Sequence, residues 1–385
     1  MKIDVLSGKR GGYGAIRPML RVLYSTEGID LKILVTDQHL DSSFGMTVKE
    51  IREDFDNIVE FPLPKQDGSQ RGRCIAMSKL EQDLANYFDV RQPDLLVLFG
   101  DRGEVLAAAA VATLFNIRIA HFQGGDLSGS VDEHVRHAVT KLSHFHFVSC
   151  VDSYNRVVQL GEAKDRVFVV GDSHVDEICS GEYPSGDVII EKYNLNPSLP
   201  LILLLQHSET TSSQDAAYQI NQTIGALESV GEADIVAIYP CSDPGYTEIV
   251  QCLTTFSAQN KRVKLHKNID AYYFRGLMNV ASVLVGNSSA GIIEAQYFNL
   301  PVVNIGNRQH RRMQSSNILN VKYDTHHILS NIKKAMSSEF RSQLTREGRK
   351  IYGNGNTGAM SAKILIDLLT KEDKVGYLKS FVDIK

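Results

Sequence analysis

Three aspartates stand where apolar runs give way to turns or helices. Asp101 lies in Phe99-Gly100-Asp101-Arg102-Gly103-Glu104, and Asp126 closes His121-Phe122-Gln123-Gly124-Gly125-Asp126. Asp132 opens Asp132-Glu133-His134-Val135-Arg136-His137. Carboxylates gathered at neighbouring strand ends raise one another's pKa, which gives a site both an acid and a base near neutral pH. The three are therefore candidate proton-transfer groups, with Glu104 a second acid beside Arg102. Part of the pattern also serves helices. Ser130 with Glu133 spells a capping box. Asp132 with Arg136, and Glu133 with His137, are spaced four apart on one helix face. Asp101 would equally suit an N-cap with an arginine partner.

A second set of residues suits an anion. Val283-Leu284-Val285-Gly286-Asn287-Ser288-Ser289-Ala290-Gly291-Ile292-Ile293-Glu294 reads as strand, small residues, then helix. Backbone N–H groups and a helix dipole there would hold a diphosphate, with Ser288 and Ser289 adding hydroxyls and Gly291 in the same small-residue run. Glu294, about one turn in, would accept from a ribose hydroxyl pair. Arg308, in the loop Asn304–Arg312, brings positive charge, although a solvated basic loop reads the same way. His207 follows the apolar run Leu201–Gln206 and is a candidate for acid/base or phosphate work. Ser7-Gly8-Lys9-Arg10-Gly11-Gly12-Tyr13-Gly14 lets backbone approach a ligand, and Arg10 would pair with phosphate oxygens. A tight turn without a ligand is the competing reading. This is not G-x-G-x-x-G, although Asp37 would suit a dinucleotide ribose, and no cofactor is expected. The twelve histidines show no metal-ligand spacing, so no metal is expected either.

The bulk properties bound the class. With 385 residues the chain suits two lobes rather than one core. Lys and Arg number 41 against 45 Asp and Glu, which argues against a nucleic-acid-binding surface. Five widely spaced cysteines without C-x-x-C point to free thiols and a cytoplasmic setting. No apolar run suits a membrane helix or a signal peptide.

The elements that must carry these residues alternate. Strands are expected at Ile3–Leu6, Leu31–Thr36, Asp94–Phe99, Ile117–Phe122, His146–Cys150 and Val167–Val170. Helices are expected at Tyr13–Glu27, Arg71–Arg91, Gly103–Phe115 and Val131–His144. Nearly continuous apolar strands of this kind belong to a parallel sheet covered on both faces. Glycines and prolines punctuate Gly171–Pro200, which reads as an interdomain crossing. The rhythm restarts with strands at Leu201–Gln206, Asp234–Tyr239, Arg262–His266, Ser282–Gly286 and Pro301–Ile305. Helices follow at Gln214–Gly231, Ser289–Asn299 and Met360–Thr370. The expectation is an α/β chain of two Rossmann-like, doubly wound domains facing a cleft. They would cover 1–172 and 173–360, with a C-terminal helical segment, 361–385, packing back on the first. Ligands in such sheets bind beyond the carboxyl ends of strands.

Together these motifs resemble the hydrolysing UDP-N-acetylglucosamine 2-epimerases of the bacterial sialic-acid-pathway type. The match runs from Gly8-x-Arg10 through Gly100-Asp101-Arg102-x-Glu104, Gly124-Gly125-Asp126 and Asp132-x-x-x-Arg136-His137-Ala138-x-Thr140-Lys141. It continues through His207-x-Glu209-Thr210, Gly286-Asn287-Ser288-Ser289-x-Gly291 and Gly306-x-Arg308-Gln309. The resemblance implies a glycosyltransferase-B-like fold and loss of UDP across C1–C2 to give a 2-acetamidoglucal. Water then adds to give N-acetylmannosamine, for sialic-acid-like synthesis. It implies Asp101, Asp126 and Asp132 as acid/base groups, with His207 near the diphosphate. Arg10, Ser288, Ser289 and Arg308 become phosphate contacts and Glu294 the ribose contact. Glu104, Arg136, His137 and Gly291 join the substrate-binding set. The first domain would then do sugar chemistry and the second hold UDP, in a homodimer or dimer of dimers. The family often has Glu at Asp126, an acid at Gly12, an aromatic at Gly103, proline at Ser208 and glycine at Arg311. A UDP-2,4-diacetamido-2,4,6-trideoxy-hexose is therefore an alternative substrate. A non-hydrolysing 2-epimerase, a glycosyltransferase and an inactive nucleotide-sugar sensor are the remaining rivals.

Overall fold

The computed structural model describes residues 1–65, 69–127, 131–209, 212, 214–241, 244–347, 350–370 and 379–383. Ser128–Ser130, and with them the expected cap at Ser130, lie outside it, as does Thr210. The chain divides into two units. The first comprises Met1–Asp126, Val131–Asp176 and the chain from Gly353 onward; the second is Glu177–Tyr352, with Leu127.

The first unit carries seven strands: β1 (Lys2–Ser7), β2 (Asp30–Thr36), β3 (Ile58–Phe61), β4 (Leu95–Phe99), β5 (Arg118–Phe122), β6 (Phe145–Val148) and β7 (Val167–Val169). They form one sheet in the order β3-β2-β1-β4-β5-β6-β7, and every pair is parallel. Alternate residues feed opposite cores. Ile3, Val5, Ile33, Val35, Val97, Phe122 and Phe147 face the helices Arg10–Ser25 and Thr357–Thr370. Leu6, Leu34, Leu96, Leu98 and Ile119 face the helices Gln70–Arg91 and Gly103–Leu114. Phe122 and Phe147 stack at 4.5 Å. Each such buried side chain contributes roughly 1.5–3 kcal/mol, so the strand register is strongly fixed.

The second unit repeats the plan with β8 (Leu201–Leu205), β9 (Asp234–Ile238), β10 (Val263–His266), β11 (Val283–Gly286), β12 (Val302–Ile305) and β13 (Ile318–Val321). The order is β10-β9-β8-β11-β12-β13, again all parallel. Counted within the unit this is the 3-2-1-4-5-6 order of a dinucleotide-binding sheet. Both units are therefore Rossmann-like, as expected. The chain order reverses between β1 and β4 in the first unit and between β8 and β11 in the second. The loops leaving these strands and their neighbours carry most of the motif residues.

Three details differ from the expectation. The crossing back into the first unit falls at Gly353, ahead of the expected 360, because the helix beginning at Thr357 is anchored there. Asp176 accepts from the Thr357 and Gly358 N–H groups at 3.0 and 2.7 Å. The short edge strands β3 and β13, half-buried and weakly apolar, carry too little pattern to stand out in the sequence. The helix expected over Ser289–Asn299 is two pieces: a five-residue helix, Ser289–Ile293, and a 3-10 turn, Ala295–Phe298.

Candidate functional site

The turn after β4 is built from buried groups. His121, on β5, donates from Nε2 to the Gly100 carbonyl at 2.8 Å, while Nδ1 meets the Thr140 hydroxyl at 3.2 Å. Burial pushes His121 down to about 3, so the ring is neutral and its tautomer fixed by its partners. Asp101 then stands against Arg136, whose Nη2 donates to its carboxylate. Arg136 comes from the helix Val131–Leu142 and is almost fully buried. Its Nη1 donates to the Asp126 carbonyl at 2.7 Å. The Arg136 Nε and the His137 Nδ1 are buried without a partner among the described residues. Asp132 lies exposed on the first turn of the same helix. Glu133 and His137 meet across one turn at 4.0 Å, and burial holds His137 below its ordinary range.

Asp126 is held by hydroxyls. Its carboxylate accepts from the Ser149 hydroxyl at 2.9 Å and from the Ser153 hydroxyl. The structure thus pairs Asp101 with a cation and Asp126 with two hydroxyls. Among the described residues, the Asp101 and Asp126 carboxylates are held by different partner atoms.

Glu104 is buried in an alternating square of charges. It accepts from Arg102 at 3.0 Å and Arg73 at 2.7 Å, and both arginines also reach Asp37, at 3.3 and 3.1 Å. Arg73 was not singled out in the sequence; it stands on a helix whose face pattern gave no sign of this role. Asp37, considered for a dinucleotide ribose, is committed to the same square. Arg10 pairs with Glu50 at 3.1 Å.

In the second unit Asn287 ties three segments together. Its side chain accepts from the His207 N–H at 2.7 Å and donates to the His207 carbonyl at 2.9 Å. Its own carbonyl accepts from Arg308 at 3.3 Å and Gln309 at 3.1 Å. Gly286 makes this crossing possible: a Cβ there would fall 2.1 Å from the Leu205 carbonyl oxygen, and its φ is +136°. His207 Nδ1 accepts from the Cys241 N–H at 3.0 Å, which leaves the proton on Nε2. Burial, with the charge of Arg308, pushes His207 down to about 3. His207 is thus a neutral donor rather than a cation. Ser208 Oγ and Gln309 Oε1 are buried without partners among the described residues.

Ser288 caps the short helix, its Oγ accepting from the Ala290 N–H at 3.3 Å. Ser289 and Gly291 occupy its first turn, and Glu294 ends it. With so few aligned peptides the helix dipole is weak. The donors gathered at this edge are the Ser288 and Ser289 hydroxyls, backbone N–H groups, the neutral His207 ring and the Arg308 guanidinium. Glu209, missed as a support, fixes the Arg308 loop: it accepts from the Asn307 N–H at 2.8 Å and the Tyr323 hydroxyl at 3.0 Å. Its place two residues after His207 was the available signal.

The family model for UDP-N-acetylglucosamine 2-epimerase matches residues 21–366. The chain belongs to that family. This family member is 34% identical over 367 residues to the hydrolysing UDP-N,N'-diacetylbacillosamine 2-epimerase of Legionella pneumophila, covering 94% of this chain and 95% of that one. It is 32% identical to the UDP-N-acetylglucosamine 2-epimerase of Neisseria meningitidis serogroup B, covering 87% and 88%. Among solved structures, a Neisseria meningitidis UDP-GlcNAc 2-epimerase bound to UDP-GlcNAc superposes with a TM-score of 0.80 at 17% identity, over 97% of this chain and 100% of that one. That likeness shows the fold. No described helix of this family member is long and apolar enough to cross a membrane.

Proposed function

We propose that the protein is a hydrolysing 2-epimerase of a UDP-2-acetamido sugar, with UDP-N-acetylglucosamine as the substrate. The observation that carries this reading is the Asp101–Arg136 pair. It places a carboxylate at a strand end beside a buried guanidinium whose Nε–H has no partner among the described residues, on the helix that bears Asp132. A carboxylate in that setting takes the hydrogen from C2 of the sugar as the C1–O bond to UDP breaks, leaving a 2-acetamidoglucal. Water then adds across C1=C2, with hydroxyl to C1 and a proton to the opposite face of C2. The free 2-epimer, N-acetylmannosamine, and UDP are the products. Asp132 is the partner acid. Each positioned proton-transfer group contributes on the order of 10²–10⁴ in rate.

In the second unit, His207 Nε2–H, Ser288, Ser289 and Arg308 take the diphosphate, and Glu294 the ribose. Donors preorganised around a leaving group lower the barrier because its charge grows as the bond breaks. Asp126 serves to hold the loop after β5 through Ser149 and Ser153. Arg10 contacts phosphate by exchanging Glu50 for the ligand.

One observation favours a second substrate, UDP-N,N'-diacetylbacillosamine: the 34% identity to the Legionella hydrolysing enzyme. The test is incubation of the purified protein with each sugar nucleotide in deuterated buffer, with NMR of the products. Free UDP and deuterium at C2 of a released 2-epimer support hydrolytic epimerisation, and the substrate consumed faster selects between the two. An epimerised sugar still attached to UDP would overturn the hydrolytic reading.

A further inference from the structure

The helix Val131–Leu142 carries Asp132, Arg136 and His137, and its far end is held by residues with no part in that chemistry. Lys379, near the end of the chain, donates from Nζ to the Lys141 and Ser143 carbonyls, each at 2.7 Å, and lies 3.3 Å from that of Thr140. These are carbonyls of the last turn and the residue just past it, where the α-helical ladder runs out; that of Thr140 also accepts from the Ser143 N–H at 3.1 Å. A cation there also complements the negative end of the helix dipole. The same Nζ stands 2.7 Å from Glu162. Glu162 is buried and gathers Lys141 at 2.6 Å and His146 at 3.0 Å as well.

Lys379 is not a lone contact. The Val382 N–H donates to the Gly161 carbonyl at 3.0 Å. The Phe381 ring covers Gly161 so closely that a Cβ there would fall 2.4 Å from it. Lys141 Nζ lies 4.9 Å from the centroid of that ring. Residues 379–382 therefore fit Gly161, Glu162 and the helix end together, as a strap. The strap meets the site by a short route. Thr140, whose carbonyl Lys379 reaches, gives its hydroxyl to His121, and His121 holds Gly100 beside Asp101.

We propose that Lys379 is a positioning residue for the reaction: by capping the helix Val131–Leu142 it sets where Arg136 and Asp132 stand relative to Asp101. This rests on the reading of those acids given under Proposed function. Loss of the cap lets the helix end fray and the carboxylates drift from the reacting carbon. Sub-ångström placement of such groups governs turnover more than binding. The diphosphate residues named above sit on other elements and are untouched.

The test uses the full chain with Lys379→Ala and, as a milder second variant, Phe381→Ala. For Lys379→Ala, kcat is expected to fall roughly tenfold while the Kd for UDP stays within about twofold. Added n-butylammonium should restore part of kcat in Lys379→Ala and none in Phe381→Ala. Amide hydrogen exchange across residues 131–144 should quicken roughly tenfold, with β8 and β11 unchanged. Unchanged kcat and exchange in a folded Lys379→Ala protein would overturn the proposal. So would a parallel loss of kcat and UDP affinity, which marks general destabilisation. Should the wild-type protein convert neither sugar nucleotide, the functional reading fails instead. Exchange then decides whether the strap holds the helix.

Discussion

His207 offers the sharpest test of the diphosphate reading, because its protonation state is fixed by geometry. Its Nδ1 accepts from the Cys241 N–H, and burial pushes its pKa from the ordinary 6.5 to about 3. Holding the ring neutral down to that value corresponds to about 5 kcal/mol against the imidazolium. At pH 6 about one molecule in 10³ carries the proton. The free protein therefore presents Nε2–H as a neutral donor across the working range. kcat/KM reports ionisations of the free enzyme, so its profile from pH 5.5 to 8.5 should show no break from this residue. A hydrogen bond to a charged group is worth about 1.5–3 kcal/mol. His207→Ala should accordingly weaken UDP by about 10- to 150-fold in isothermal titration at pH 7. His207→Gln, which keeps an N–H near the same place, should lose much less. A wild-type break near pH 6.5 that disappears in His207→Ala would refute the argument, since it would require the cation.

Asp101→Asn and Asp132→Asn should each lower kcat by about 10²–10⁴ and leave UDP binding within a few fold; equal turnover in wild type and variant removes that acid from the mechanism. Ser289→Ala and Arg308→Ala should do the reverse, raising the Kd for UDP with a smaller change in the bound rate, as calorimetry and saturation kinetics would separate. The fold should also be sensitive to acid. His39 is pushed down to about 4, and His121 and His207 to about 3, in each case by burial first. The unfolded chain binds more protons than the native one between those values and 6.5, so stability falls as pH drops below 6.5. By pH 5 each histidine withdraws about 2 kcal/mol, and the urea midpoint at pH 5 should lie well below that at pH 7.5. Equal midpoints would show that the three rings are not held neutral.

The strand ends were legible because parallel sheets announce themselves as apolar runs and place ligand residues at one edge. The structure does place Asp101, His207 and Ser288 just beyond the carboxyl ends of β4, β8 and β11. What sequence spacing could not show is which polar groups meet once distant runs become neighbours. Asn287 and His207 are 80 residues apart in the chain, and only the pairing of β8 with β11 brings them together. Asp126 looked like a member of an acid cluster because its strand end is adjacent to that of Asp101. Its carboxylate also accepts from Ser149 and Ser153, two hydroxyls with no recognisable motif around them. Lys379 and Glu162 were invisible for the same reason, at a separation of more than two hundred residues. The break after Ile293 depends on tertiary context: Gln296 donates to the Ile292 and Ile293 carbonyls and accepts from the Ile351 N–H at 2.9 Å.

The helix Thr357–Thr370 gives the protein an unusual order of birth. Ala362, Leu365 and Leu369 complete the core that Tyr13, Met19 and Leu20 begin. A Cβ on Gly358 would fall 2.6 Å from Pro18, so the two helices touch at the backbone. A ribosome making this chain releases the first helix long before it makes the second. At about 5–20 residues per second, that face of the first sheet waits uncovered for tens of seconds, through synthesis of the whole second unit. The N-terminal unit cannot mature on its own during translation. A nascent chain stopped near residue 350 should engage chaperones through that open face, whereas one extended past 370 should release them.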